Sequence, residues 1–592
     1  LIIVGYAYVD NIASKSSPCQ LGISADENIP GLAWLADTIK DNGALAAIQL
    51  DHCGRQKFLE TVPVKSASAI PWPALLQRTK DAAIPEPLTA KEIHDIVEAF
   101  GRAASRAVAS GYDLVEIQGA HGYLITNFLS PHTNHRTDMY GGSLENRMRL
   151  LVEIVDNIRS KIGPDFPLTV RLNGTDYEPD GFGVEETIKV CQTVEKHGVD
   201  AIHVTGGDLQ QMIHQVSPMV VERGHHVWAA QEIKDNIDIP VIASGSITMP
   251  DMAEDILATG KSDFVALGRS LLADPQWTRK VQEGRAEDVR PCLRCNEGCL
   301  ERAFFRCQAV TCAVNPALGH ENELPIWPPS KKKRVVIVGG GPAGMEAALV
   351  CALRGHDVTL FEKRRLGGLI NAAAVPEFKS DIRFFRDYLV TQMSKHHITI
   401  VNKQAPMDVV SNGNFDVAII AIGAQPLRLD IPGKDRSIVH SAIDILTSGI
   451  NAGPKIVVVG GGFIGTQVAL HMAEQGKKVT IVEKLDEIMY DSTTTDKMAY
   501  GELLKKYNVT VLTGCQLTEV TKSGVAIVDK LDRKKKLEAD TVVMAVGSEP
   551  NAGYQPHLQR EGGMEVYAIG DCVKPGKIYD AIHSAYKIAV RI

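Results

Sequence analysis

Short apolar runs alternate with longer amphipathic segments through the first half of the chain. The runs are rich in Val, Ile, Leu and Ala, which is typical of strands buried on both faces of a parallel sheet. The segments between them carry apolar residues at helical spacing. Seven strands are predicted: Leu1–Val4, Ala44–Leu50, Leu114–Gln118, Leu168–Leu172, Ala201–Val204, Pro240–Ala243 and Phe264–Leu267. The predicted helices include Ala90–Ser110, Glu145–Ile162, Val184–His197 and Met249–Thr259.

Repeated strand–helix units of this length predict an α/β fold with a (β/α)8 TIM barrel over residues 1–285. The pattern gives seven strands and not eight, so we expect the barrel's first strand to precede Leu1. The sequence also begins without Met, and we expect its N-terminus to be missing. Reactive groups of such a barrel lie at the C-terminal ends of strands. The polar residues that follow each predicted strand are therefore the candidates for chemistry.

The second half opens with a pattern that is typical of dinucleotide binding. Residues 334–349 read RVVIVGGGPAGMEAAL, in which a G-x-G-x-x-G turn joins a strand to a helix. The next strand ends in Glu362, which can bond a ribose diol. The turn glycines Gly339, Gly341 and Gly344 admit a pyrophosphate to the helix N-terminus.

The same pattern recurs from residue 455, where a second strand runs into a second glycine-rich turn. Its glycines are Gly460, Gly462 and Gly465, and the strand that follows the helix ends in Glu483. Two complete fingerprints in one chain predict two Rossmann-like dinucleotide-binding domains.

Five of the chain's eleven cysteines lie between the two halves, in residues 292–312. Cys292, Cys295, Cys299 and Cys312 have the spacing C-x2-C-x3-C-x12-C, and Cys307 is expected to be a packing residue. Three thiolates on one loop and a fourth returning to it can hold an iron–sulfur cube, and tetrahedral zinc is the alternative. A barrel before this stretch and two dinucleotide fingerprints after it favour the cluster, since electrons would cross here.

Length, composition and net charge limit the classes of protein to which this chain can belong. A chain of 592 residues is too long to fold around one hydrophobic core. Its content of 44% hydrophobic and 23% charged residues is ordinary for a globular protein. The net charge of −8 argues against a nucleic-acid partner. The sequence has no apolar run of about 18 residues and no signal peptide, which predicts a cytoplasmic protein without a membrane partner. Self-association into a homo-oligomer stays open.

Several motifs of the barrel half occur together in one known family. They are QLDHCGR (49–55), QGAHGYL (118–124), NFLSPHTNHRTDMYGGSLENR (127–147), ASGSI (243–247) and ALGRSLLADP (266–275). This set resembles the old yellow enzyme family of FMN-dependent ene-reductases. The resemblance runs through the whole first half and implies an FMN in the barrel.

The resemblance gives the strand-end residues roles toward FMN. Gly245, Ser246, Gly268 and Arg269 follow the last two strands, where glycine N–H groups and an arginine suit a phosphate. Gln49 and Arg171 are expected at the flavin's pyrimidine edge, where a cation stabilises the anionic reduced flavin.

The same resemblance assigns the substrate side of the barrel. In the family, a pair at the positions of Gln118 and His121 holds the substrate's carbonyl oxygen and polarises an α,β-unsaturated bond. The residue at the position of Tyr123 donates a proton to the α-carbon. Many members carry His, Asn or Tyr where this chain has Gln118, and an amide can also donate.

The order of barrel, cysteine segment and two nucleotide domains resembles the 2,4-dienoyl-CoA reductase, 2-enoate reductase and trimethylamine dehydrogenase group. Residues 566–571 (VYAIGD) resemble a late element of two-dinucleotide flavoprotein reductases, whose Asp, here Asp571, binds the ribityl chain of FAD. The implied domains are an FMN-binding barrel (1–285, first strand missing), a [4Fe–4S] segment (286–330), an FAD domain (331–450 with 549–592) and an NAD(H) domain (451–548). Glu483 favours NADH over NADPH.

The expected function is that of an NADH-dependent ene-reductase, with FAD, a [4Fe–4S] cluster and FMN as cofactors. Its substrate would be a small unsaturated acid, thioester or enone. Two alternatives stay open: an amine dehydrogenase of the trimethylamine dehydrogenase type, and an NADH-oxidising electron-transfer module.

Overall fold

The computed structural model describes residues 1–57, 64–72, 84–551 and 564–592. The chain divides into two compact units. The first unit consists of residues 1–217 and 221–267, and the second of residues 218–220 and 268–592. None of the helices in the described ranges combines the length and the apolar character that a membrane crossing requires.

The first unit is built on a seven-stranded parallel sheet whose strand order follows the chain. The strands are β1 (Ile2–Tyr8), β2 (Ala46–Asp51), β3 (Leu114–Gly119), β4 (Leu168–Asn173), β5 (Ala201–Thr205), β6 (Val241–Ala243) and β7 (Phe264–Val265). All seven predicted strands are confirmed, with ends that move by a few residues. Parallel neighbours in chain order, each followed by a helix, are the architecture of the TIM barrel.

The helices of the first unit cover the apolar faces of these strands. They are Ile29–Asp41, Ala90–Ala109, Leu124–Leu129, Leu144–Arg147, Arg149–Ile162, Val184–Lys196, Met212–Gln215, Val227–Lys234 and Pro250–Ala258. Helix Ala90–Ala109 begins at a capping box, in which Thr89 and Glu92 satisfy each other's backbone N–H groups. The predicted helix Glu145–Ile162 is divided at Met148 into two helices.

The second unit contains two five-stranded parallel sheets of the same design. The first is ordered Thr399–Val401, Asp357–Phe361, Arg334–Val338, Val417–Ile420, Glu565–Ala568. The second is ordered Val439–Ser441, Thr541–Met544, Lys455–Val459, Lys478–Val482, Thr510–Leu512. In each sheet the strand that leads into the glycine-rich turn lies in the centre, as in a Rossmann fold.

The chain passes between the two sheets through an antiparallel pair, Ala424–Pro426 with Ser548–Pro550. A three-stranded antiparallel sheet, Cys515–Thr521, Gly524–Asp529 and Lys534–Glu538, lies within the second nucleotide-binding segment. The helices of the second unit are Arg269–Ala273, Trp277–Gln282, Pro342–Arg354, Ile370–Ala373, Ser380–Lys395, Met407–Asn412, Ala442–Thr447, Phe463–Glu474, Thr494–Lys506 and Ile578–Ala589, with a π-helix at Glu297–Phe305.

Candidate functional site

The predicted substrate-side residues lie together at the C-terminal end of β3. Gln118 Nε2 is 3.3 Å from His121 Nδ1, and His121 Nε2 is 2.9 Å from Thr205 Oγ1 at the end of β5. The backbone N–H of His121, whose φ is +63°, donates to Asn173 Oδ1 at 3.1 Å. All four side chains are buried. The structure therefore brings Gln118 and His121 together as polar neighbours.

Tyr123 is 3% exposed and lies against Tyr6 of β1. The two ring centroids are 5.1 Å apart. Burial, with the neighbouring Tyr6 and Asp51, raises the pKa of Tyr123 well above 10. The phenol therefore keeps its proton at neutral pH, which is the state that a proton donor needs.

Strands β2 to β5 carry a set of polar side chains on one face, which we call the polar row: Gln49, Glu116, Arg171 and His203. Register pairs Gln49 with Glu116 and Arg171 with His203. Gln118 pairs with Arg171 and lies two residues after Glu116, so all these side chains point to the same side of the sheet. Both Gln49 and Arg171, the predicted flavin contacts, belong to this row.

The polar row fits a flavin by the hydrogen-bonding groups that it leaves available. Among the described residues, the buried Nε of Arg171 and the buried Nε2 of His203 have no hydrogen-bond partner. Unpaired buried polar atoms are costly, and a ligand with both donor and acceptor groups would satisfy them. The pyrimidine ring of a flavin has both.

The residues predicted for the FMN phosphate are divided between the two units. Gly245 and Ser246 follow β6 in the first unit, and both have positive φ, +109° and +57°. Glycine at this turn leaves the backbone N–H groups open to close approach by an anion. Gly268 and Arg269 belong to the second unit, where Arg269 begins a short helix and donates from Nη1 to Asn296 Oδ1 at 2.5 Å.

The four predicted ligand cysteines line one small cavity in the second unit. Its lining includes Cys292, Cys295, Cys299 and Cys312, together with Arg269 and Asn296. Burial raises the pKa of Cys292 to about 12, and the charge of Arg269 acts in the opposite direction. The fifth cysteine, Cys307, is exposed, so it is not the packing residue that the sequence suggested.

The sulfur–sulfur distances that a zinc ion requires differ from those that an iron–sulfur cube requires. Within the described ranges, no three His, Cys, Asp or Glu side chains converge closely enough to hold a single metal ion. Zinc–sulfur bonds of about 2.3 Å would draw the sulfurs to within about 4 Å of one another. A cube gives each cysteine a separate iron and so a wider spacing. Both groups use four thiolates, and the lining of this cavity supplies a four-sulfur ligand set.

The two glycine-rich turns of the second unit have the same geometry. Gly339 and Gly460 have φ of +109° and +101°, and a Cβ on either would lie 2.3 Å from a carbonyl oxygen of the neighbouring strand. Glu362 accepts the backbone N–H of Gly340 at 2.7 Å, and Glu483 accepts that of Gly461 at 2.5 Å. Both carboxylates therefore stand directly beside the turn, as ribose-binding acids do.

One continuous cleft of the second unit joins these groups. Its lining includes Gly339, Gly341, Glu362, Gly460, Gly462, Glu483 and Asp571. Gly344 and Gly465 lie deeper. A Cβ on Gly344 would meet the carbonyl oxygen of Gly339, and a Cβ on Gly465 would meet that of Gly460, so neither position has room for a side chain. The cleft also reaches Cys295, which lines the cysteine cavity as well. A group in the cleft and a group in the cavity would thus be neighbours.

Sequence reasoning missed the residues that hold the predicted ones in place. Glu116 and His203 lie inside predicted strands, and Thr205 and Tyr6 lie one and two residues beyond the predicted ends of theirs. Their signal was the two-residue alternation of a strand, because Glu116 precedes Gln118 by two and faces the same way.

Comparison with known proteins agrees with this arrangement. Residues 1–288 match the NADH:flavin oxidoreductase / NADH oxidase family, and residues 333–589 match the pyridine nucleotide-disulphide oxidoreductases. The NADH oxidase of Thermoanaerobacter brockii is 36% identical over 602 residues, which cover 100% of this chain and 92% of that protein. The chain belongs to the NADH:flavin oxidoreductase / NADH oxidase family.

Two further similarities place this oxidoreductase within the family. Cinnamate reductase of Clostridium sporogenes is 35% identical over 527 residues, covering 85% of this chain and 78% of that protein. The solved complex of 2-naphthoyl-CoA reductase with 2-naphthoyl-CoA superposes with a TM-score of 0.95 at 34% identity, covering 100% of this chain and 91% of that one. The chain is a flavin-dependent NADH oxidoreductase of the enoate reductase group, and the predicted barrel followed by Rossmann-like sheets is confirmed.

Proposed function

We propose that this oxidoreductase is an NADH-dependent ene-reductase that reduces the C=C bond of an α,β-unsaturated acid, thioester or enone. The observation that carries the proposal is the group at the end of β3. There, the buried pair Gln118 and His121 lies near Tyr123, whose phenol stays protonated. Two polar groups for a carbonyl oxygen and one acid are what conjugate reduction requires.

The residues of the first unit have separate tasks in this proposal. Gln118 would donate from Nε2 and His121 from Nδ1 to the substrate's carbonyl oxygen, while His121 Nε2 accepts from Thr205 Oγ1, which orients the ring. Burial lowers the pKa of His121 well below 6.5, so its imidazole is neutral and binds through a hydrogen bond without a charge. Tyr123 holds its proton at the hydroxyl oxygen and gives it to the α-carbon.

The second unit supplies the reducing equivalents. The turn at Gly339 with Glu362 and Asp571 would hold FAD, and the turn at Gly460 with Glu483 would hold NADH. The four cysteines around one cavity would hold a [4Fe–4S] cluster. When bound, the two flavins and the cluster provide the hydride and single-electron chemistry between NADH and the alkene. The contact of Cys295 with both cleft and cavity supports this route.

Anaerobic stopped-flow spectroscopy tests the function directly. The holoprotein is reduced with NADH and mixed with cinnamate, crotonyl-CoA or a 3-oxo-Δ4-steroid. We expect at least one of them to reoxidise the flavins within the time of a turnover, with formation of the saturated product. Trimethylamine is mixed with the oxidised protein in parallel. Reduction by trimethylamine, with no reoxidation by any alkene, would replace the proposal with amine oxidation.

Oxygen reduction is a second candidate function, because the relative from Thermoanaerobacter brockii is an NADH oxidase. Stopped-flow spectroscopy also separates oxygen reduction from alkene reduction. If air reoxidises the reduced protein faster than every alkene at equal concentration, the oxidase is the better description.

A further inference from the structure

Two members of the polar row, Glu116 and its partner His203, have no role that the sequence or the family resemblance assigns. Glu116 lies in the middle of β3 and is 0% exposed. Three donors surround its carboxylate: Gln49 Nε2 at 2.6 Å, His203 Nδ1 at 3.0 Å and Thr169 Oγ1 at 3.3 Å. An ionised carboxylate with no access to solvent requires such partners.

The charge of Glu116 is maintained by its surroundings. Burial by itself raises the pKa of Glu116, but His203, the cation of Arg171 and the amide of Gln49 together hold it below its ordinary value. Burial also lowers the pKa of His203, and the charge of Glu116 acts in the opposite direction. Glu116 is therefore an anion, and Arg171 is the cation that partly balances it.

A carboxylate only accepts hydrogen bonds, and this fixes the direction of its neighbours. The NH₂ group of Gln49 must face Glu116, because the reversed amide would set two acceptors against each other. The carbonyl Oε1 of Gln49 is thereby left as an acceptor. His203 must carry a proton on Nδ1 in order to donate to the carboxylate, and within the described residues its Nε2 has no partner.

We propose that Glu116 is a positioning residue that sets the hydrogen-bond direction of the polar row, so that Gln49 offers an acceptor and Arg171 a cationic donor to the flavin. A flavin pyrimidine ring has an N3–H donor between two carbonyl acceptors, and N1 becomes anionic on reduction. Gln49 Oε1 suits N3–H, and Arg171 suits N1 and its adjacent carbonyl. The inference rests on the placement of FMN in the barrel, which is part of the proposed function.

Glu116→Gln tests the direction while preserving shape. The new amide can accept from His203, but its NH₂ group then faces the NH₂ group of Gln49. Gln49 must turn over and present a donor to N3–H. We expect the Kd for FMN to rise by about tenfold or more, equivalent to about 1.4 kcal/mol. We also expect the bound FMN to have a more positive reduction potential, since Arg171 loses its balancing anion.

Thr169→Val is the matched control, because it removes the weakest bond to Glu116 and leaves charge and direction unchanged. Its Kd for FMN should rise by less than that of Glu116→Gln, because Glu116 keeps its charge and Gln49 keeps its direction. FMN affinity is measured by titrating flavin-depleted protein, with FAD and FMN separated by chromatography. Potentials are measured by spectroelectrochemical titration.

The exchanged pair Gln49→Glu with Glu116→Gln distinguishes direction from general damage. In this double variant, the carboxylate introduced at position 49 accepts from the amide introduced at position 116 and again presents an acceptor, and the net charge is restored. Recovery of FMN affinity and a return of the potential toward the wild-type value would support the inference. If Glu116→Gln leaves both quantities unchanged, or if the exchanged pair is as impaired as the single variant, Glu116 does not set the direction. A wild-type holoprotein without FMN would overturn the proposed function together with this inference.

Discussion

Tyr123 is the single residue on which the proposed chemistry depends most. Tyr123→Phe keeps the ring against Tyr6 and removes only the hydroxyl group. We expect alkene-dependent reoxidation to slow by about 10²- to 10⁴-fold, the usual contribution of a positioned acid. Reduction of the flavins by NADH should keep its wild-type rate. Both are measured by anaerobic stopped-flow.

Tyr140 provides the matched control for this substitution. It is another buried tyrosine of the first unit, and its hydroxyl group donates to Glu153 at 3.0 Å. Tyr140→Phe should leave alkene reduction within about threefold of the wild type, because the lost hydrogen bond to Glu153 involves none of the groups proposed to contact the substrate and affects mainly stability. Equal rates in Tyr123→Phe and Tyr140→Phe would remove Tyr123 from the mechanism.

The environment of Tyr123 also predicts a pH dependence. A donor works only while protonated, and burial, with Tyr6 and Asp51, raises the pKa of this phenol well above 10. Raising the pH from 7 to 10 therefore does not remove its proton. We expect the single-turnover rate of alkene reduction to show no loss with a midpoint in that interval. A loss centred below pH 10 that is absent in Tyr123→Phe would show that the phenol ionises normally.

Strands and turns differ in how far the sequence predicts them. The two glycine-rich turns were predicted with their acids, because a G-x-G-x-x-G turn needs glycine at positions where a Cβ would meet a carbonyl oxygen, as at Gly339 and Gly460. The polar row was predicted only in part. Gln49 and Arg171 were found through resemblance, whereas Glu116 and His203 depend on register between strands, which one sequence does not specify.

The two turns make a matched pair for testing the cofactor assignment. Glu362→Gln and Glu483→Gln each replace a carboxylate that accepts two backbone N–H groups by an amide that accepts through one oxygen. We expect Glu362→Gln to weaken FAD binding by about tenfold and Glu483→Gln to raise the KM for NADH by about tenfold, the effect of losing one charge-assisted bond. Flavin content and steady-state kinetics measure the two.

Each variant is the control for the other. Glu483→Gln should retain wild-type FAD, and Glu362→Gln, once saturated with FAD, should retain the wild-type KM for NADH. Loss of FAD on substitution of Glu483 would instead show that the FAD and NADH assignments of the two turns must be exchanged.

For the molecule as a whole, the order of the domains could be predicted from the sequence, whereas the contacts that hold the cysteine segment in place could not. The spacing of the cysteines indicated a common group, and the structure places all four on one cavity. The sequence did not show that Arg294, between Cys292 and Cys295, forms a buried ion pair with Asp381 at 2.8 Å. That contact joins residues far apart in the chain, and it ties the cysteine loop to helix Ser380–Lys395.

Cys295→Ala tests whether this loop is the route for electrons, because Cys295 lines both the cleft and the cavity. We expect loss of iron and acid-labile sulfide, NADH reduction of only the flavin in the second unit, and loss of alkene reduction by at least about 100-fold, since each iron of a cube requires its own thiolate. Cys307→Ala removes an exposed thiol of the same segment and should retain metal content and activity. Stoichiometric zinc in the wild type, or normal reduction of the barrel flavin in Cys295→Ala, would show that electrons do not pass through this segment. The comparison is informative because both substitutions remove one sulfur from one stretch of chain, and only one of them lies where the nucleotide cleft meets the cysteine cavity.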